Sequence, residues 1–145
     1  MKASAFYDLA MRLASESQPA ELRSAISRAY YGAFHTAVEL LQDFGIQLPD
    51  GPECHTKVRF ILDNAGSPEL LTASARLSAL RLKRNLADYD LSSRDPERKG
   101  TVVLNLRQAQ EAIDRLNRCA TAGTRDAHRD TARQYAKNVL GLPVS

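Results

Sequence analysis

The stretch Glu21-Leu22-Arg23-Ser24-Ala25-Ile26-Ser27-Arg28-Ala29-Tyr30-Tyr31-Gly32-Ala33-Phe34-His35-Thr36-Ala37-Val38-Glu39-Leu40-Leu41-Gln42-Asp43-Phe44 decides the fold. Its apolar side chains fall at Leu22, Ile26, Ala29/Tyr30, Ala33/Phe34, Ala37/Val38, Leu40/Leu41 and Phe44, in steps of three and four. That period, held from one end to the other, predicts a single long amphipathic helix. Gly45 supplies its stop, and Leu48-Pro49-Asp50-Gly51-Pro52 reads as a loop built on a Pro-Asp-Gly turn.

Working outward, the same period recurs. Residues 4–16 place Phe6, Leu9, Ala10 and Leu13 at helical spacing ahead of Pro19. A shorter helix is predicted from His55 to Asn64, burying Val58, Ile61 and Leu62, with Gly66 closing it. Ser67-Pro68-Glu69 is a start signal, a serine cap followed by proline at the first helical position. The helix it opens runs to about Tyr89. After the Ser92–Pro96 loop, a fifth helix from about Lys99 to Cys119 should bury Val102, Val103, Leu106, Ala109, Ile113 and Leu116. A last helix spans about Thr124 to Leu140. If it docks, Tyr135, Val139 and Leu140 should be buried; if it is a mobile arm, they should be exposed. Period-two alternation is absent, so no strand is expected. The prediction is an all-α, up-and-down antiparallel bundle of five to six helices. Residues 1–122 form the bundle and 123–145 a C-terminal helical extension.

Composition agrees with one domain. A chain of 145 residues with a hydrophobic fraction of 43% has room for one core. No run approaches the roughly 20 apolar residues of a membrane span, and the N-terminal residues lack an apolar secretion core. Cys54 and Cys119 form no metal-spacing pattern and a poor disulfide framework, so a reducing cytoplasm is the expected location. Three scattered histidines and no phosphate-cradling glycine loop give no sign of a metal or other cofactor. The net charge of +3 is unevenly spread. Residues 1–80 carry seven Lys/Arg against nine Asp/Glu, and residues 81–145 carry thirteen against eight. A basic second half fits a polyanionic partner, and equally an ordinary solvated surface.

Three polar groupings are candidates. On the long helix, Arg28, Tyr31, His35 and Glu39 form a stripe beside the core-facing Ile26/Tyr30/Phe34/Val38 row. On the fourth helix, Arg81, Arg84, Asn85 and Asp88 share a face. Arg84 also interrupts the row Leu70, Ala73, Leu77, Leu80, Ala87, Leu91, which is otherwise apolar. An arginine there needs an anion; it is either the partner of Asp88 in a structural bridge or the holder of a phosphate. On the last helix, Arg125, Arg129, Arg133 and Lys137 form a ridge interleaved with Asp126 and Asp130, which suits intrahelical pairing or a phosphate backbone.

The run Ser27-Arg28-Ala29-Tyr30-Tyr31-Gly32-Ala33-Phe34-His35 resembles the signature helix of bacterial HEPN proteins. His55 with Val58 and Phe60 is similar to that family's short third-helix segment, and Arg84-Asn85-Leu86-Ala87-Asp88-Tyr89 resembles its second signature, Arg-x-x-Ala-Asp-Tyr. The order and separation agree over roughly residues 5–120. The resemblance implies a four- or five-helix bundle, commonly a homodimer. It also implies a metal-independent ribonuclease of a toxin–antitoxin or defence system, its site in a cleft between two copies. Some family members are instead non-catalytic subunits that bind a nucleotide or a minimal nucleotidyltransferase partner acting as antitoxin. Carried over, the catalytic arginine is Arg84 and the polar residue after it Asn85. The motif histidine falls on Tyr89, and Asp90 and Leu91 fill the longer spacings. Tyrosine, with a reference pKa near 10, is a poor proton shuttle at neutral pH. His35 is the candidate substitute if folding brings it beside Arg84. Arg28, Tyr31, Arg81, Asn85 and Asp88 are the candidate RNA or nucleotide contacts.

Overall fold

The long periodic segment forms helix α2 (Pro19–Asp43) in the computed structural model, which describes residues 1–145. Pro19 occupies the first turn, where its missing N–H costs nothing, and the helix ends where Gly45 takes φ +81°. Around it lie α1 (Ser4–Ala14), α3 (Glu53–Asp63), α4 (Pro68–Tyr89), α5 (Lys99–Thr121) and α6 (Arg125–Asn138), with one 3-10 turn at Asp95–Glu97. The Ser67 hydroxyl caps α4 by accepting from the Leu70 amide at 3.2 Å. The chain is all-helical apart from an isolated antiparallel bridge between Ile46 and Val144.

Side-chain links fix the directions. The Ala3 amide donates to Glu39 Oε1 (3.1 Å), tying the start of α1 to the end of α2. Arg23, early in α2, reaches the last turn of α4. Glu69, early in α4, pairs with Arg115, late in α5, at 3.3 Å, and Arg76 with Glu111 at 2.9 Å. The pairs α1/α2, α2/α4 and α4/α5 therefore run antiparallel, and α2, parallel to α5, touches α1, α4 and α5 as the axis of the bundle. Ile26, Tyr30, Leu41, Leu70, Leu77, Leu80 and Leu116 are fully buried at the centre. Gly32 matters at the α1 contact. A Cβ there would stand 3.1 Å from both the Cβ and the amide nitrogen of Tyr7, so only glycine lets α1 lie this close.

Two burial expectations are corrected. Val103 is exposed, because α5 turns Val102, Asn105, Leu106 and Ala109 inward and leaves 103 on the water side; Ile113 is half-buried. Helix α6 docks on the bundle, against α3 and α5, but not through the residues named for it. Ala132 and Ala136 are the buried contacts, Tyr135 and Leu140 are half-buried, and Val139 is exposed. Small side chains bring the helix in close, so the larger ones lie at its flanks. The segment after it adds buried Leu142 and the Val144 bridge. Arg133 locks the arrangement, donating through Nη1 to the Phe44 carbonyl (2.9 Å) and the Ser145 carbonyl (2.6 Å). The basic ridge on α6 is thus largely occupied. Arg129 pairs with Asp126 and Asp130 (3.3 and 3.0 Å), and Arg125 pairs with Asp126 and lies over the Phe44 ring.

Candidate functional site

The candidates on α2 and α4 meet. Tyr30 and Tyr31 project from α2 toward the last two turns of α4, where Arg84 enters the bundle. Arg84 Cζ stands 5.6 Å from the Tyr30 ring, 5.5 Å from Tyr31 and 6.0 Å from Tyr89. These faces offer the guanidinium cation–π contact, but its nitrogens gain little else. Arg84 is only 8% exposed, and its Nε is buried with no hydrogen-bond partner. Its one carboxylate neighbour, Asp88 Oδ2, is 3.8 Å from Nη1, beyond hydrogen-bonding distance, and that oxygen already accepts from Ser27 Oγ at 3.1 Å. Burying a cation this far costs several kcal/mol unless the charge is matched. Arg84 therefore sits in the folded protein as an under-satisfied charge at the rim of a polar cluster.

The α2 stripe forms the other side. Arg28 lies over the rings of Tyr31 (4.9 Å) and Phe6 (5.4 Å) and donates to Ser27 Oγ (3.3 Å). His35 stacks on Phe6 at 5.1 Å and Tyr31 at 5.9 Å between centroids. Glu39, next along the stripe, is taken by the Ala3 amide. No hydrogen bond joins His35 to Arg84; the Tyr31 ring contacts both, 5.9 Å from the His35 ring and 5.5 Å from Arg84 Cζ. Of the α4 candidates, Arg81 and Asn85 are half-buried, Asp88 is exposed, and Tyr89 is 75% exposed. Arg81 forms no bridge with Asp88; only the Arg84–Asp88 pair forms.

His55 is the residue the linear reading did not place in the site. The loop after Phe44 returns to the middle of α2, so α3 starts against Tyr30 and Phe34. His55 stacks on Phe34 at 4.1 Å and its Nδ1 lies 2.6 Å from Tyr30 Oη. Burial pushes the Tyr30 phenol above its ordinary value, against the pull of Arg81, Arg84 and Arg59. Burial, with the positive charges of Arg81 and Arg84 and the nearby His35, lowers His55 to about 4. Burial also lowers His35, with Glu39 opposing and Arg28 adding to it. At neutral pH both groups are therefore uncharged, and one proton is shared in the hydrogen bond between Tyr30 Oη and His55 Nδ1. No spacing rule connects position 30 to position 55; only the loop's return does.

A pH dependence follows. The unfolded imidazole takes a proton near 6.5, whereas the folded one resists until about 4. In that window the unfolded chain holds more protons, so stability is full above about 6.5 and falls as pH drops toward 4. A His55→Gln variant should flatten that decline in thermal melts recorded from pH 7 to 4; an unchanged slope would assign the loss to other groups.

Compared with protein-family models, curated proteins and solved structures, the chain matches none.

Proposed function

We propose that this chain is a HEPN-type helical protein that binds RNA through a backbone phosphate held at Arg84, as a component of a toxin–antitoxin or defence system. The observation that supports it is the buried Arg84 guanidinium, with its Nε unpartnered and its only carboxylate too far to hydrogen-bond. A phosphate oxygen is the natural acceptor, since the planar guanidinium fork matches phosphate and carries a fixed charge. Arg81 and Arg28 stand near with further positive charge. For cleavage, the 2′-hydroxyl would attack the adjacent phosphate while Arg84 stabilises the charge that builds on it. A second reading, a non-catalytic subunit that binds a nucleotide or a nucleotidyltransferase partner, is favoured by one observation. The position of the motif histidine holds Tyr89, and no hydrogen bond joins His35 to Arg84. Incubation of purified transfer and messenger RNA without metal, with wild type and Arg84→Ala, separates the two. Arg84-dependent cleavage supports the nuclease; Arg84-dependent binding without cleavage supports the subunit; RNA binding absent from both proteins sinks the RNA reading.

The same proposal includes a homodimer. Thr72, Ala75, Ala79, Leu82, Leu86 and Tyr89 follow strict three-four steps along the outer face of α4, opposite its buried row. Leu82 is 67% exposed, and a groove of about 680 Å³ runs along Leu82, Leu86 and Tyr89. A seam with that period suits a second helix of the same kind and a two-fold contact. Leu82→Glu should convert dimer to monomer in sedimentation, with helicity unchanged; an unaltered mass in the variant would remove this face from consideration. The chain has no helix long and apolar enough to cross a membrane, and a cytoplasmic location belongs to the same reading.

A further inference from the structure

Beside the Arg84 site lies a second, smaller cavity of about 230 Å³, between the α2 face and the loop that returns from α2 to α3. Both His35 and His55 line it, Val38, Leu48 and Pro49 supply apolar wall, and Gln42 and Asp50 stand at its rim. We propose that this cavity receives one unpaired, uncharged heteroaromatic base of the bound RNA, an inference that rests on the RNA reading above.

Size, charge and polar geometry support the assignment. The volume suits a single ring system and is too small for a whole nucleotide with its phosphate. No lysine or arginine lines the cavity, and the acidic Asp50 does. The lining thus offers a phosphate no cationic side chain to pair with, whereas the Arg84 site does. The cavity's polar groups are free for edge recognition. His55 uses Nδ1 for Tyr30, which leaves Nε2 without a partner in the fold and its ring held in one orientation. His35 is held by stacking on Phe6 and Tyr31, so its ring edge is not consumed by the fold. The charged and titratable groups around the two rings are Arg81, Arg84 and Tyr30 for His55, and Glu39 and Arg28 for His35. Both imidazoles are neutral at pH 7, as contact with an uncharged base requires. One residue joins the two sites: the Tyr30 ring faces Arg84 while its hydroxyl holds His55.

The test uses the full chain with ¹⁵N-labelled histidine and the four ribonucleosides, which carry no phosphate. At millimolar concentration at least one nucleoside should shift the ring resonances of both His35 and His55. The shifts should persist in Arg84→Ala. Affinity should drop at least about tenfold in Val38→Phe, which fills the cavity, and in His35→Ala, which opens it; the histidine spectrum reports whether each variant is folded. If no nucleoside moves either ring while single-stranded RNA still binds through Arg84, the base pocket is overturned and the RNA reading stands. If a nucleoside binds as described but RNA does not, the pocket stands and the RNA reading falls. Nucleoside affinity, read at His55, that is undiminished in both Val38→Phe and His35→Ala places the nucleoside elsewhere and overturns the pocket.

Discussion

Arg84→Met is expected to lower RNA affinity tenfold to a hundredfold while leaving the fold as stable as before, or more so. The two halves of that result have one cause. A charge-assisted hydrogen bond to phosphate contributes about 1.5–3 kcal/mol, the free-energy equivalent of that range of affinities. In the free protein the same guanidinium is nine-tenths buried, lacks a partner for Nε, and faces a carboxylate 3.8 Å away. Replacing such a charge with an unbranched apolar side chain of similar length is often neutral or stabilising. Methionine also continues the apolar row of α4. The matched control is Arg129→Met on α6, where the side chain is paired with Asp126 and Asp130 on the surface. Fluorescence anisotropy with single-stranded RNA at two salt concentrations, beside urea denaturation, measures both halves. Equal affinity losses at 84 and 129 would mean that RNA senses only the overall positive field. A stability loss of several kcal/mol at 84 would make it a structural arginine.

The largest expected stability effect belongs to Arg23. Its guanidinium donates to the carbonyls of Ala87 (3.0 Å) and Asp90 (3.1 Å), reaches those of Leu86, Leu91 and Ser93, and pairs with Glu97 at 3.1 Å. Ala87 lies in the last turn of α4, where carbonyls lack intrahelical partners, and Asp90, Leu91 and Ser93 belong to the turn that follows. One side chain from α2 thus terminates α4, supports the turn after it and neutralises a half-buried carboxylate. Arg23→Ala should cost about 3 kcal/mol, because it strands several acceptors and a charge together. For a chain of this size that is a fall in Tm of about 10 °C. Arg23→Lys should recover only part of the loss, since an ammonium cannot reach acceptors spread across a fork. Urea curves with unchanged m-values check the figure; a loss below about 1 kcal/mol would show that water substitutes for the guanidinium.

The contrast between these two arginines shows what the sequence could reveal. Arg84 was legible because it breaks an apolar row on its own helix, a local conflict visible in one dimension. Arg23 lies on a helix whose period is plain, and nothing within ten residues sets it apart from a solvated arginine. Its acceptors are more than sixty positions away. The helices were legible for the same local reason: period, proline starts and glycine stops all act over a few residues. What could not be read depends on how helices meet. Val103 faces water because of the rotation of α5, and α6 docks on Ala132 and Ala136 because close approach selects small side chains. His55 enters the cluster only because a loop turns back along α2. The resemblance directed attention to α2 and α4, and the distances decide which residues on them touch.

The Arg133 clamp bears on how the molecule comes apart. One guanidinium ties the end of α2 to Ser145, and the Ile46–Val144 bridge runs beside it. The last helix is thereby fastened to the start of the loop that walls the small cavity. Hydrogen exchange at the amides of residues 46–52 should accordingly be set by an opening event shared with the terminal segment, rather than by local fraying. Arg133→Ala would uncouple the two and quicken exchange in that loop, while leaving protection in the middle of α2 intact.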